Sequence, residues 1–278
     1  MSLVVATNVS SLTAQRALAY ADSLQGEAMQ RLSTGSKINS ASDDAAGLAI
    51  AQRMTAQVNG LNMAVKNAND GIALTQSIEG ALVEVSDMLQ RLRELSVQAA
   101  NDTNGDKDRT YLTAEVTSLL SEINRVATQT KYNDKTVLDG TLSGSLQVGT
   151  EATQTISFSV SSIQTSALGT ADGGDALSTI QIDSAANAAT ALGIISQAIE
   201  EVAGQRASYG ALSNRLEYTV SNLMNVAEFT TAARSRIEDA DFAAESARLS
   251  KAQVLQQTGT AMLAQANASS QLAIQLIR

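Results

Sequence analysis

Histidine and cysteine carry much of the proton transfer, nucleophilic attack and soft-metal binding that proteins perform, and this chain contains neither. No disulfide can form, and no thiolate or imidazole is present to hold zinc. The H-E-x-x-H signature of zinc proteases is excluded for the same reason. Carboxylates remain, with Asp43 and Asp44 in one half of the sequence and Glu238, Asp239 and Asp241 in the other. They lack the alternating ligand spacing of a calcium loop, and scattered acids make a poor case for glycoside hydrolysis. Arg234 and Glu238 stand four apart, a helical pair worth only a few tenths of a kcal/mol. Together with Arg236 and the neighbouring acids they read either as a solvated helix end or as a joint between packed layers. The expectation is a non-enzyme with no catalytic residue, metal or cofactor.

The composition favours long helices instead. Among 278 residues there is no Pro, the residue that most reliably breaks a helix. Five Tyr, three Phe and no Trp leave the core to aliphatic side chains. Nineteen Lys and Arg against 28 Asp and Glu give a net charge of −9, which argues against nucleic-acid binding or a polybasic membrane contact. The opening MSLVVATNVSS has neither the basic start nor the apolar run of a cleavable signal peptide. No apolar stretch is long enough for membrane insertion as a helix.

Apolar residues recur at alternating spacings of four and three along Leu74, Ile78, Ala81, Val85, Met88, Leu92, Leu95 and Ala99. A second run holds Leu112, Val116, Leu119, Ile123 and Val126. A third passes from Leu192, Ile195, Ile199 and Val202 through Tyr209, Leu216, Val220 and Leu223 to Ile237. This period belongs to helices wound together in a coiled-coil-like bundle. The helix over about 60–100 would be ~60 Å long, an elongated element suited to packing against copies of itself. Ser42, followed by Asp43 and Asp44, reads as a helix start, and Asn101–Gly105 (NDTNG) as a turn. Between 136 and 183 the period changes. Ile156, Phe158 and Val160 alternate with polar residues, Ile180 and Ile182 repeat the pattern, and glycines punctuate the stretch. The fold class is therefore mainly α: an elongated coiled-coil-like helical bundle with a small central β-hairpin element and paired terminal helices.

The last forty or so residues carry a seam of Leu255, Gly259, Met262, Ala266, Ser269, Ala273 and Leu276, with Leu263, Leu272, Ile274 and Ile277 beside it. At the other end Val5, Val9, Leu12, Leu18, Leu24 and Leu32 are spaced among Ala, Ser and Gln. Helices apolar on several faces need several partners. Two such helices satisfy only part of that need for each other. The remainder falls either to the chain's own bundle or to neighbouring subunits.

The chain resembles the bacterial flagellins. The residues that carry the resemblance are RLSTGSKINSASDDAAGLAIAQRM (31–54), NANDGIALTQSIEGAL (67–82), LQRLRELSVQAANDTN (89–104), ARSRIEDADFA (233–243) and SKAQVLQQTGTAMLAQAN (250–267). The five blocks occur in order at family-like spacings. The resemblance spans about 1–150 and 184–278, and the short stretch between makes this similar to a minimal flagellin without large outer domains. The tail departs from the pattern, with Ser270 where many members have Pro.

The resemblance implies two layers. An inner, tube-lining layer would hold 1–40 with 240–278, and a helical rod layer 45–239, with the insert 136–183 facing outward. It implies a structural subunit that self-assembles into a helical filament for swimming, located in the extracellular flagellum after type III export without a cleaved signal. Leu18, Leu32, Leu255, Met262, Ala266 and Leu276 would lie in the subunit-interface seam. Arg91, Leu95, Gln98 and Glu115 match positions that contact Toll-like receptor 5, and the same positions also read as seam and lateral contacts. Other copies of the chain, the export chaperone, the filament cap and the hook–filament junction proteins are the implied partners. Two rival readings are a junction protein present in few copies and a surface-displayed adhesin for glycans. Phe158, the one aromatic between Thr136 and Asp183, gives the latter little sugar-stacking surface.

Overall fold

The computed structural model describes residues 7–170 and 175–275, with side chains as far as Ser269. Val5, Leu276 and Ile277, all named above, lie outside the described residues, as do Gly173 and Gly174 of the glycine-punctuated stretch. The backbone falls into two compact units, one of residues 1–58 with 228–278 and one of 59–227. Among the described residues five long helices occur in the order α1 (Val9–Thr34), α2 (Ala45–Ala99), α3 (Asp106–Gln129), α4 (Ala185–Glu238) and α5 (Phe242–Gln275). Strands β1 (Lys131–Tyr132), β2 (Lys135–Thr136), β3 (Ser143–Gln147) and β4 (Thr155–Ser159) stand between α3 and α4. The mainly α, coiled-coil-like class follows from the apolar period and the lack of proline.

In the 59–227 unit, α2 supplies an unbroken buried row. Leu61, Ala64, Ala68, Thr75, Ile78, Leu82, Val85, Leu89, Leu92, Ser96 and Ala99 are buried, with Gly71 in register between Ala68 and Thr75. The steps alternate between three and four, the geometry of a knobs-into-holes seam. The row sits one residue away from part of the expected one: Leu82 and Leu89 hold the centre, while Ala81 and Met88 flank it half-buried. Two adjacent apolar rows allow this because α2 is enclosed over a wide arc by α3, α4 and the insert. On α4 the same shift puts Ala191 and Ala198 at the centre, with Ile199 packed beside them. Thr75 and Ser96 are tolerated in the row because each hydroxyl donates to a carbonyl one turn back, Gly71 O at 2.9 Å and Leu92 O at 2.8 Å.

The insert is held down by short antiparallel hairpins. Asn133 and Asp134, with φ of 48° and 63°, make the left-handed two-residue turn that joins β1 to β2. This hairpin precedes the expected start of the β region at 136. In the longer hairpin β3 pairs with β4, Ser143 opposite Ser159 and Leu146 opposite Ile156. Leu146 reaches the α2 surface at Gly71, where an added Cβ would overlap its Cδ1 and stand 3.2 Å from Leu216 Cδ1. A glycine inside a helix costs stability, and here it provides the space that the hairpin fills. Ile180 and Ile182 are buried but not in a strand. A 3₁₀ turn, Leu177–Thr179, precedes them, and Leu177 N and Ser178 N bond to Leu168 O and Thr165 O. The backbone is satisfied within the loop, so alternation there reflects burial without sheet pairing.

The start of α2 also differs from expectation. Asp44, not Ser42, caps it, accepting from Gly47 N at 2.8 Å, while Ser42 Oγ meets Ser40 Oγ. Replacing Leu89 by Ala should cost about 2–5 kcal/mol, and Met88→Ala clearly less, when both are compared by thermal unfolding. Equal losses would place the seam on the other row.

Candidate assembly surface

In the unit of residues 1–58 and 228–278, α1 and α5 run antiparallel. Asn8 accepts from Ser11 N at the start of α1 and donates from Nδ2 to Ala266 O at 2.9 Å. Asp22 accepts from Gln256 Nε2 at 2.8 Å, and Gly259 lies against Leu18. Small side chains fill the contact, with Ala21, Ala28 and Ala252 at 1–2% exposure. Small residues permit close helix approach and leave long neighbours projecting outward. At the other end of the pair the buried Glu245 carboxylate accepts from Arg31 at 3.3 Å and Arg248 at 2.8 Å. A buried carboxylate needs such pairing to offset its lost hydration.

The connecting segments are tied together as well. Gly35, with φ 73°, ends α1 in the left-handed conformation. Beyond it Lys37 N donates to Glu238 O, Ala240 N to Gly35 O, and Ser36 bridges Asp239 in antiparallel fashion. Arg234 donates to Thr55 Oγ1 at 3.1 Å and stands 3.9 Å from Glu238. Asp241 caps α5 through Ala243 N and Ala244 N. The charge-rich stretch thus caps and joins segments. Asp43 accepts from Asn39 N, Ser40 N and Ser40 Oγ, which hold its carboxyl below the usual range. Among the described residues no cluster of three or more His, Cys, Asp or Glu has the placement of a metal site.

Much apolar surface on α1 and α5 is uncovered. Tyr20 is 65% exposed, Val254 58% and Met262 64%. A groove of about 820 Å³ runs along the pair, lined by Ala14, Ala17, Tyr20, Leu255, Met262 and Ala266 among others. Of the expected seam residues, Leu18 packs on Gly259, Leu32 is half-buried, Leu255 and Met262 are exposed in the groove, and Ala266 is half-buried beside Asn8. Leu276 lies outside the described residues.

The receptor-like positions fall in the other unit. Arg91 donates through Nε to Glu115 at 2.9 Å and through Nη1 to Glu94 at 2.9 Å. Those bonds, Glu94 first, push the guanidinium pKa upward. Gln98 is exposed nearby along α2, whereas Leu95 is 1% exposed and belongs to the core. Arg91, Gln98 and Glu115 are therefore surface residues, and Leu95 is a core residue.

Residues 5–143 match the bacterial flagellin N-terminal helical region, and residues 192–277 match the C-terminal helical region. The chain belongs to the bacterial flagellin family. The flagellin of Halalkalibacterium halodurans is 40% identical over 277 residues, covering 99% of this chain and 100% of the relative. The flagellar filament 33 kDa core protein of Treponema phagedenis is 40% identical over 287 residues, with coverage of 99% and 100%. A solved structure from Vibrio parahaemolyticus described as a flagellar hook-associated protein has a TM-score of 0.61 at 15% identity, covering 71% of this chain and 100% of that one. This last likeness concerns fold alone. Flagellin is a structural family, and no described helix of this member is long and apolar enough to cross a membrane.

Several polar anchors were not singled out in the sequence. Arg109 is buried, donating to Ala99 O at 3.0 Å and Asn101 O at 3.3 Å, where α2 ends. Its signal was its place seven residues before Val116, on the buried row of α3. Asn124 and Thr165 exchange two hydrogen bonds between α3 and the insert, and no local pattern announces that pair. Burial pushes the Tyr209 hydroxyl pKa up, and a hydrogen bond with the Ser161 backbone opposes this only in part. With the folded pKa raised, the stability contributed by the protonated hydroxyl is complete below the unfolded pKa and is lost as pH rises through the folded value. Ultraviolet titration should therefore show a late tyrosine step above the ordinary phenol range, with Tyr209→Phe deleting it. Glu245→Ala should lower stability by about 1–3 kcal/mol and speed hydrogen exchange in α1. Unchanged exchange would remove the ion pair from the forces holding α1 to α5.

Proposed function

We propose that this chain is the structural subunit of a bacterial flagellar filament and self-assembles to serve swimming motility. The observation that carries the reading is the apolar surface of α1 and α5 left uncovered by their own unit, in a family member whose relatives match along nearly the whole chain. Burying exposed side chains such as Tyr20, Leu255 and Met262 against a second copy would supply the driving force for polymerisation. The subunit acts as a building block without catalysis. The junction-protein reading draws only on a fold likeness at 15% identity, and nothing favours a glycan adhesin.

In this reading 1–40 and 240–278 form the inner tube layer, 45–239 the rod layer, and 136–183 faces outward. Leu18, Leu32, Leu255, Met262, Ala266 and Leu276 make the subunit seam. The protein leaves the cell through the flagellar export gate without a cleaved signal and works in the extracellular filament. The export chaperone, the cap and the hook–filament junction proteins are its transient or terminal partners. The free subunit engages Toll-like receptor 5 through Arg91, Gln98 and Glu115, with Leu95 supporting that surface. The absence of Cys and Pro suits a chain exported unfolded, since neither disulfides nor slow prolyl isomerisation can delay it.

The test is assembly of purified protein by salting out, followed by electron microscopy and sedimentation. The unmodified chain should give long helical tubes. Met262→Glu places a charge in a surface that must lose water, and should raise the concentration needed for assembly by roughly tenfold or more while the monomer keeps its helical circular dichroism. Wild-type-like tubes from that variant would remove Met262 from the seam, and a wild-type chain that stays monomeric where a known flagellin polymerises would sink the filament reading.

A further inference from the structure

The chain contains two Asn-Gly dipeptides, Asn59–Gly60 and Asn104–Gly105, placed in opposite structural settings. Asn59–Gly60 lies inside α2. There the glycine N–H is committed to the helix ladder, and helical dihedrals point the asparagine side chain away from the next backbone nitrogen. Asn104–Gly105 lies in the turn between α2 and α3, with Gly105 exposed. We infer that Asn104 is a site of spontaneous covalent modification, at which its side-chain amide converts to aspartate and isoaspartate. In the first step the Gly105 nitrogen attacks Asn104 Cγ. The new C–N bond closes a five-membered succinimide, the Cγ–Nδ2 bond breaks, and ammonia leaves with the proton lost from Gly105 N. Water then opens the ring at either carbonyl. No oxidant, metal or enzyme is required. Glycine is the most permissive residue to follow the asparagine, because it has no side chain to crowd the attack and allows the backbone rotation that ring closure needs.

Two hydrogen bonds restrain the reaction in the folded protein. Gly105 N, the attacking atom, donates to Asp108 Oδ2 at 3.1 Å. Asn104 Nδ2, the leaving group, donates to Gln98 O at 2.5 Å. The same two bonds complete helix ends, the first at the N-terminus of α3 and the second on a carbonyl of the last turn of α2. Capping and chemical protection are thus served by the same atoms. Conversion would delete the Nδ2 donor and add a carboxylate near Asp102 in the turn and Asp106 and Asp108 in the first turn of α3. The isoaspartate product would also lengthen the backbone between α2 and α3. This inference rests on the turn alone and does not depend on the filament reading.

The test incubates full-length folded protein at neutral pH for weeks and follows each asparagine by peptide mass spectrometry, with an isoaspartate-specific methyltransferase assay to identify the product. Asn104 should convert progressively while Asn59 stays intact. Gly105→Ala should suppress conversion. A Cβ there meets only Asp108 Oδ2, at 3.6 Å, so the variant folds without strain. Asp108→Ala should speed conversion roughly two- to tenfold, the range that one released hydrogen bond supports. A third variant, Asn104→Gln, should abolish the product, because its longer side chain closes the ring far less readily. An Asn104 that stays amidated, an Asn59 that converts equally, or a rate unaffected by Gly105→Ala would overturn the assignment. Slower conversion in Asp108→Ala would make the carboxylate an activating base and overturn its guarding role.

Discussion

The buried row on α2 from Leu61 to Ala99 is the wall against which the 59–227 unit is built. Its alternating three-and-four steps hold one side of a helix against neighbours over many turns, which a straight α-helix cannot do without the slight supercoil of coiled coils. Once that wall is set, α3 and α4 have matching rows to offer, and the insert must cover what they leave. Gly71 shows the dependence in detail. The β3–β4 hairpin docks where the helix has no side chain, and Leu146 takes the space. Aliphatic residues do almost all of this work, and the aromatics in the buried set reduce to Tyr209, with Tyr132 and Phe158 packed at its margin.

Residues 1–58 and 228–278 solve a different problem. The contact between α1 and α5 is made by Ala21, Ala28, Ala252 and Gly259, which bury little area each, so larger side chains remain on the outer faces. Hydrophobic stabilisation scales with area removed from water. A helix pair that keeps Tyr20, Val254 and Met262 exposed leaves much apolar area unburied. Self-association is the use that fits a structural family. Polar contacts set the register instead: Asn8 to Ala266, Asp22 to Gln256, and Glu245 between two arginines. Directional bonds at both ends of a smooth, small-residue contact prevent sliding that van der Waals packing would tolerate.

The same economy recurs at the α2–α3 turn. Arg109 satisfies carbonyls at the end of α2, Asp108 accepts from the Gly105 amide that caps α3, and Asn104 reaches back to Gln98. Backbone groups stranded by a tight reversal find side-chain partners within a few residues, as buried or half-buried polar groups must. The chemistry open to Asn104 is a consequence of putting an asparagine and a glycine where such a reversal requires them.

The amino-acid sequence by itself determined which stretches are helical, where the chain turns, the β character near 156–160 and the family. Periodicity, proline absence and motif blocks are local properties that survive without coordinates. It located the helix faces only to within one residue, because Ala81 and Met88 are as apolar as the row beside them. Tertiary structure decided that Leu82 and Leu89 are central, since the wide arc covered by several neighbours selects among adjacent rows. It also moved the α2 cap from Ser42 to Asp44 and gave Ile180 and Ile182 burial without a strand, because backbone partners came from within the loop. Of the residues proposed to act, it set Arg91, Gln98 and Glu115 on the surface and Leu95 in the core, and left Leu255 and Met262 exposed. Buried polar anchors such as Glu245 and the Asn124–Thr165 pair were its decision too. Their role depends on which carbonyl, carboxylate or amide arrives from a distant part of the chain, and no local pattern encodes that meeting.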